Sequence, residues 1–185
     1  MNIRQDSATQ LPDLVVRVAR SDSDFAGLQA VARATWPATY AGLLADATIA
    51  TFLEHAYSPE RLAQTSAALG DGLLMAEHGG VIGYAMAGPN REGEAELFAL
   101  YVLPNEQGHG VGFALWEAAM AHLRSLDHDA ATLWVLTANA GARRFYERQG
   151  AVAADSRIIT IGNEVVSEIR YRVNLQSTAE TSGSG

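Results

Sequence analysis

Cysteine is absent from the 185 residues, which excludes disulfides, thiolate metal sites and a cysteine nucleophile together. The five histidines show no ligand-like spacing, so no metal site is expected. No apolar run approaches the ~20 residues that a membrane span requires, and Met1 to Leu14 lacks the apolar centre of a signal peptide. A cytoplasmic protein without membrane contact is expected. Positive charge is also short, with a formal net charge of -8 and basic residues scattered along the chain, so nucleic acid is not an expected partner. There is no G-K-S/T to form a nucleoside-triphosphate loop, and there are no internal repeats.

What remains is a chain of single-domain length, 48% hydrophobic, patterned for both strands and helices. Its organising stretch runs from Glu94 to Leu123. Leu97 to Leu103 is an apolar, aromatic-rich strand bounded by Pro104, and Phe113, Leu115, Trp116, Ala119, Met120 and Leu123 recur at helical spacing. Between them, Gly108, Gly110 and Gly112 leave the backbone bare where the helix begins. Unpaired N–H groups, a favourable dipole and no obstructing side chain make an anion site. A tight turn is the ordinary alternative for three such glycines.

Elsewhere, Leu14 to Arg20 predicts a first strand, and Phe25, Leu28, Val31 and Ala32 the buried stripe of a helix ended by Pro37. Asp46 to His55 and a segment capped by Ser58 with Pro59 first predict two more helices. Gly72 to Glu77 and Val81 to Ala87 form a hairpin across Gly79-Gly80. Ala131 to Thr137 is apolar enough to be a strand covered on both faces, Asn139 to Gln149 is helical with Gly150 just beyond its end, and Val152 to Val173 holds a last hairpin around Gly162-Asn163. The fold class is therefore α+β, or mixed α/β, in one domain from 14 to 174, with a flexible segment 1–13 and a disordered tail 175–185.

Gln107-Gly108-His109-Gly110-Val111-Gly112 resembles the Q/R-x-x-G-x-G/A loop of the GNAT superfamily of acyl-CoA-dependent N-acyltransferases. Leu100-Tyr101-Val102 before Pro104 looks like that family's fourth strand, and Asn139, Ala142, Phe145, Tyr146 and Gly150 match its later N-x-x-A-x-x-F-Y-x-x-x-G segment. The two motifs lie in the family's order, one helix and one strand apart.

The resemblance implies a mostly antiparallel mixed sheet of about six to seven strands, with one splayed parallel pair holding the pantetheine arm of acetyl-CoA and no metal. It implies cofactor contacts at Leu100, Tyr101, Val102, Gln107, Gly108, His109, Gly110, Val111, Gly112 and Asn139, with the Leu100 N–H as oxyanion donor. Asn139 serves equally as a helix N-cap. Glu96 matches a catalytic glutamate, four residues before Leu100 and on the same strand face because side chains repeat every second residue, with Glu94 an equivalent candidate. Tyr146 matches the proton donor to the departing thiolate. Trp36 and Tyr40 would overhang the acceptor, unless their rings only fill the core. Two positions depart from the pattern: Ala151 replaces an aromatic, and His109 stands where a basic residue is common.

The reaction implied is acetyl transfer to a primary amine of a small molecule by direct attack in a ternary complex. Trp36 to Leu69 and Gly162 to Arg172 are similar to bacterial polyamine acetyltransferases of the superfamily, and the acidic charge suits a polycation. Amino acids, antibiotics, a protein N-terminus, or a coenzyme A sensor without turnover are the alternatives. A homodimer is compatible with the sequence.

Overall fold

The apolar and aromatic runs become seven strands in a computed structural model that describes residues 11–176. They are β1 (Val15–Val18), β2 (Leu73–Glu77), β3 (Val81–Pro89), β4 (Ala95–Val102), β5 (Ala130–Leu136), β6 (Val152–Ile161) and β7 (Glu164–Asn174). They build one sheet in the order β1-β2-β3-β4-β5-β7-β6, antiparallel at every step but one. The exception is β4 with β5, which run parallel because α4 (Val111–Ser125) carries the chain back between them.

Two apolar clusters sandwich this sheet. On one face Leu115, Trp116, Met120 and Leu123 of α4 and Tyr146 of α5 (Ala140–Arg148) meet Ala85, Leu97 and Leu133. On the other, α1 (Asp22–Tyr40), α2 (Asp46–Ala56) and α3 (Pro59–Leu69) cover Leu73, Met75 and Tyr84. Adjacent residues such as Leu73 and Leu74 enter opposite clusters, as the two-residue period of a strand demands.

Helix α1 begins at a capping box. The Ser21 side chain accepts from the Asp24 N–H, while Asp24 accepts from the backbone N–H of Ser21 at 3.0 Å and of Arg20 at 2.8 Å. Pro37 does not end the helix as expected; α1 continues to Tyr40. The proline removes one N–H near the C-terminus, and the burial of Trp36 against α2 and the sheet holds the final turn despite that loss.

Strand β5 is likewise not covered evenly. Ala131, Leu133 and Val135 are buried on the α4 face, but Thr132 and Trp134 are only half-buried on the other. Leu175, expected in the tail, is buried and pinned, its N–H donating to the Asp129 carbonyl at 2.8 Å and its carbonyl accepting from Arg124 Nε at 2.8 Å. Leu11 packs on the core. The remainder of the expected flexible ends lies outside the described residues.

Candidate active site

Strands β4 and β5 pair only over Ala95–Leu97 and Ala131–Leu133, so from Phe98 and Trp134 onward they diverge. Phe98 sits at that point as the extra residue of a bulge: Met86 pairs with Ala99 and Ala87 with Leu97, leaving Phe98 unmatched. Beyond it, the Leu103 N–H donates to the Ile82 carbonyl at 2.9 Å. Counting back in twos along an antiparallel ladder, Tyr101 and Ala99 bond β3, while Leu100 and Val102 aim their N–H groups into the gap. The Val102 carbonyl is occupied by the Gln107 side-chain amide at 3.1 Å, which ties the glycine loop to the strand.

Pro104–Glu106 forms one 3₁₀ turn before that loop, and Gly108 (φ 81°) and Gly110 (φ 82°) adopt left-handed conformations that a side chain would oppose. Gly110 is the N-cap of α4, and the first helical bond is Ala114 N–H to the Gly110 carbonyl. The N–H groups of Val111, Gly112 and Phe113 are thus presented at the positive end of a 15-residue helix. Val111 itself is buried in the core and offers only its backbone. At Gly112 an added Cβ would lie 3.5 Å from the Phe145 ring, an ordinary contact. His109 is partly buried, with Nδ1 unpartnered among the described residues.

A cleft of about 410 Å³ passes through the gap in the sheet. Leu97, Leu100, Val135 and Tyr146 line it from the α4 face, and Ala99, Tyr101, Trp134 and Glu168 from the other. Helix α1 contributes Trp36 and Tyr40. The Trp36 ring stacks on Phe52 with centroids 4.3 Å apart and leans on Tyr40 at 4.7 Å. Tyr40 and Tyr101 share a hydroxyl hydrogen bond of 2.6 Å, and the Tyr84 hydroxyl donates to that of Tyr57 at 2.6 Å. Arg61 and Thr65 of α3 also border the cleft.

Tyr146 is buried where the cleft meets α5, and its hydroxyl bonds no described side chain or carbonyl. Burial pushes its phenol well above the usual range, so it keeps its proton at neutral pH. Asn139 is the N-cap of α5, its Oδ1 accepting from the Ala142 N–H at 3.1 Å, and it lines the cleft as well.

Glu96 does not share a strand face with Leu100, contrary to the expectation from the sequence. The bulge resets the alternation, so Glu96 pairs with Gly88 and Leu100 with Ala85, residues on opposite faces of β3. Glu96 therefore shares its face with Tyr101. It is half-buried, its Oε2 accepts from Asn90 Nδ2 at 3.0 Å, and it stands beside the cleft, not in its lining. Burial raises its carboxyl, and the Asn90 hydrogen bond and the nearby Arg157 guanidinium partly oppose that rise.

The carboxylate that does line the cleft is Glu168 of β7, which the sequence marks only as one of an alternating set. It pairs across the sheet with Leu136 of β5 and Arg157 of β6, long-range partners invisible in the sequence. Glu168 Oε1 accepts from Arg157 Nε, and the Arg157 guanidinium lies 3.9 Å over the Trp134 ring. Among the described residues no group of three or more His, Cys, Asp or Glu could hold a metal ion, and no helix is long and apolar enough to cross a membrane.

The profile of the acetyltransferase (GNAT) family matches residues 31–151. An N-acetyltransferase of Mycobacterium tuberculosis (strain ATCC 25618 / H37Rv) is 32% identical over 138 residues, covering 73% of this chain and 87% of that one. The structure of the PaiA N-acetyltransferase from Thermoplasma acidophilum in complex with coenzyme A superposes with a TM-score of 0.71 at 25% identity, over 85% of this chain and 98% of that one. The Escherichia coli ribosomal-protein-S18-alanine N-acetyltransferase shares the fold, with a TM-score of 0.64 at 19% identity over 92% and 99% of the chains.

Proposed function

Because the chain belongs to the acetyltransferase (GNAT) family and is an acyl-CoA-dependent N-acetyltransferase, we propose that it acetylates a primary amine of a small molecule by direct attack while both substrates are bound. What carries the proposal is the end of β4–β5 pairing at Leu97, which leaves the N–H groups of Leu100 and Val102 directed into a cleft that opens on both faces of the sheet. The donor enters from the α4 face and the amine from the face covered by α1–α3.

The residues present fit acetyl-CoA. A left-handed Gly110 cap offers unpaired N–H groups to a pyrophosphate, and the unpaired β4 edge offers Val102 N–H to an extended pantetheine, as a sheet edge accepts another strand. Gln107, Gly108, His109, Val111 and Gly112 belong to the same cradle, Tyr101 backs it from the next position of the strand, and the Nδ2 of Asn139 is free to hold an amide carbonyl. The thioester supplies an activated acetyl group. Leu100 N–H is assigned to the carbonyl oxygen, where a preorganised donor stabilises developing negative charge. The buried, protonated Tyr146 hydroxyl gives its proton to the leaving sulfur.

Glu96 takes the amine's proton through water, since it stands beside the cleft; Glu94, 2 residues earlier and exposed before the start of β4, is less suited. Trp36 and Tyr40 form the acceptor wall. A polyamine is one member of the amine class proposed, suggested by the net charge of -8 alone. We place the enzyme in the cytoplasm.

Free thiol released from acetyl-CoA, measured across polyamines, monoamines, amino acids, aminoglycosides and peptides, tests the proposal. Thiol release with at least one small amine, and its N-acetyl product by mass spectrometry, is expected. Tight coenzyme A binding without any acetylated amine would make the chain a binding module.

A further inference from the structure

The lining of the acceptor half of the cleft narrows the amine further, an inference that rests on the N-acetylation just proposed. Its wall is aromatic: Trp36, Tyr40, Phe52, Tyr57, Tyr101 and Trp134. The tyrosine hydroxyls pair with one another, Tyr40 with Tyr101 and Tyr57 with Tyr84, both at 2.6 Å, which leaves one O–H per pair to donate, so the wall presents ring faces more than hydrogen-bonding groups. Among the lining residues Glu168 is the one carboxylate, 7% exposed. Arg157 takes its Oε1 and is itself fixed over the Trp134 ring, while Oε2 accepts from no described residue. The one charged group that accompanies it in the lining is Arg61, whose guanidinium donates only to the Gln64 side-chain carbonyl, at 3.2 Å, among the described residues.

A polycation fits this lining poorly. Its first ammonium can pair with Glu168 Oε2, but a second would find no further carboxylate in the lining, since Glu96 stands beside the cleft and is assigned to the amine's proton, and would share the cleft with the positive Arg61. An amine with a single positive charge on an apolar ring meets both demands, since its ammonium pairs with the carboxylate and its ring can pack on the Phe52 side of the Trp36–Phe52 stack, where Phe52 is 37% exposed. We propose that the preferred acceptor is a monoamine on an apolar, ring-bearing body, such as a 2-arylethylamine, and that Glu168 Oε2 receives it as the ammonium, which passes one proton through water to Glu96 before the neutral nitrogen attacks.

The test uses the purified full chain and saturating acetyl-CoA, with 2-phenylethylamine and spermidine as acceptors. The expected result is a kcat/KM for 2-phenylethylamine at least ~10-fold above that for spermidine. Glu168→Gln removes one charge-assisted hydrogen bond and should raise the 2-phenylethylamine KM about 10- to 100-fold, with the acetyl-CoA KM little changed. Glu168→Asp, which keeps the charge, should fall between the two. Because Glu168→Gln also leaves Arg157 without its carboxylate, its melting temperature is measured, and if it fails to fold, Glu168→Asp and the wild-type preference decide. A preference for spermidine, or equal KM values in folded wild type and Glu168→Gln, overturns this inference and leaves N-acetylation standing. Acetylation of no amine by a chain that still binds coenzyme A overturns the N-acetylation on which it rests.

Discussion

Glu96 and Leu100, four residues apart on β4, point their side chains to opposite faces of the sheet, because the bulge at Phe98 lies between them. The phase shift has a functional consequence. It puts the carboxylate on the acceptor face and keeps the Leu100 side chain in the core under α4, while the Leu100 N–H remains in the gap.

Replacing that carboxylate should change both rate and stability with pH. Burial raises the Glu96 carboxyl from its ordinary value of 4.5, so the folded protein favours the neutral form and carries a charge penalty above the folded pKa. Glu96→Gln should therefore melt higher than wild type at pH 7, with the difference fading as pH falls toward 4.5. Its rate deficit should be largest where the amine is protonated, and should shrink as pH approaches the amine's own pKa near ~10. Equal rate losses at all pH values would remove Glu96 from proton transfer.

Tyr146→Phe isolates a proton donor from its packing. The hydroxyl bonds no described group, so its loss should leave the melting temperature within a few degrees of wild type. The kcat should fall about 10- to 1000-fold with little change in the acetyl-CoA KM, since assistance by a general acid is worth that much or more and a thioester already leaves readily. Steady-state kinetics beside a thermal melt decide, and wild-type kcat would exclude Tyr146 from the mechanism.

Gly112→Asp separates the anion cradle from the fold. Gly112 does not need a positive φ, and its new Cβ makes only an ordinary contact with Phe145. A carboxylate in the first turn of α4 favours the helix by ~0.3–1 kcal/mol, yet repels a pyrophosphate at the same N–H groups. Calorimetry should show coenzyme A affinity reduced at least ~10-fold in a protein that melts no lower than wild type. Unchanged affinity would reduce the loop to a turn.

The start of α1 makes the acid side of the stability profile testable. Asp24 is buried, accepts from two backbone N–H groups and pairs with Arg17 at 2.7 Å, and Arg17 in turn holds Glu77 at 2.6 Å. Chiefly through the Arg17 hydrogen bond, its carboxyl is held well below the ordinary carboxylate range. A depressed acid contributes stability that is present above the unfolded pKa of ~3.9 and lost as pH falls through the folded value. Asp24→Asn should cost ~1–3 kcal/mol at pH 7, and denaturant titrations should find that cost shrinking below pH 4.

The local devices of the site were legible in the sequence. Gly108 and Gly110 announce a backbone that side chains would oppose, Ser58 does cap its helix, and Gly150 stands just past the end of α5 with φ 84°. What could not be read depends on pairing between distant residues. Three consecutive pairs join β4 to β5 and then stop, and neither strand's composition says where. Phe98 looks like any aromatic strand residue until β3 fails to match it, and that failure reversed the face expected for Glu96 relative to Leu100. Trp134 sits in a run apolar enough to be buried twice over, yet it faces the cleft with Arg157 stacked on it. Glu168 reaches the site only because β7 inserts between β5 and β6.

Direct attack within the cleft is tested most directly by bisubstrate initial-rate kinetics, paired with the intact mass of the protein after exposure to acetyl-CoA alone. The chain has no cysteine, and all 13 of its Lys or Arg residues are arginine, so it lacks the two side chains best suited to hold an acetyl group covalently. The account predicts double-reciprocal lines that intersect to the left of the ordinate, and a protein mass unchanged by acetyl-CoA. Parallel lines together with a protein heavier by one acetyl group would contradict it.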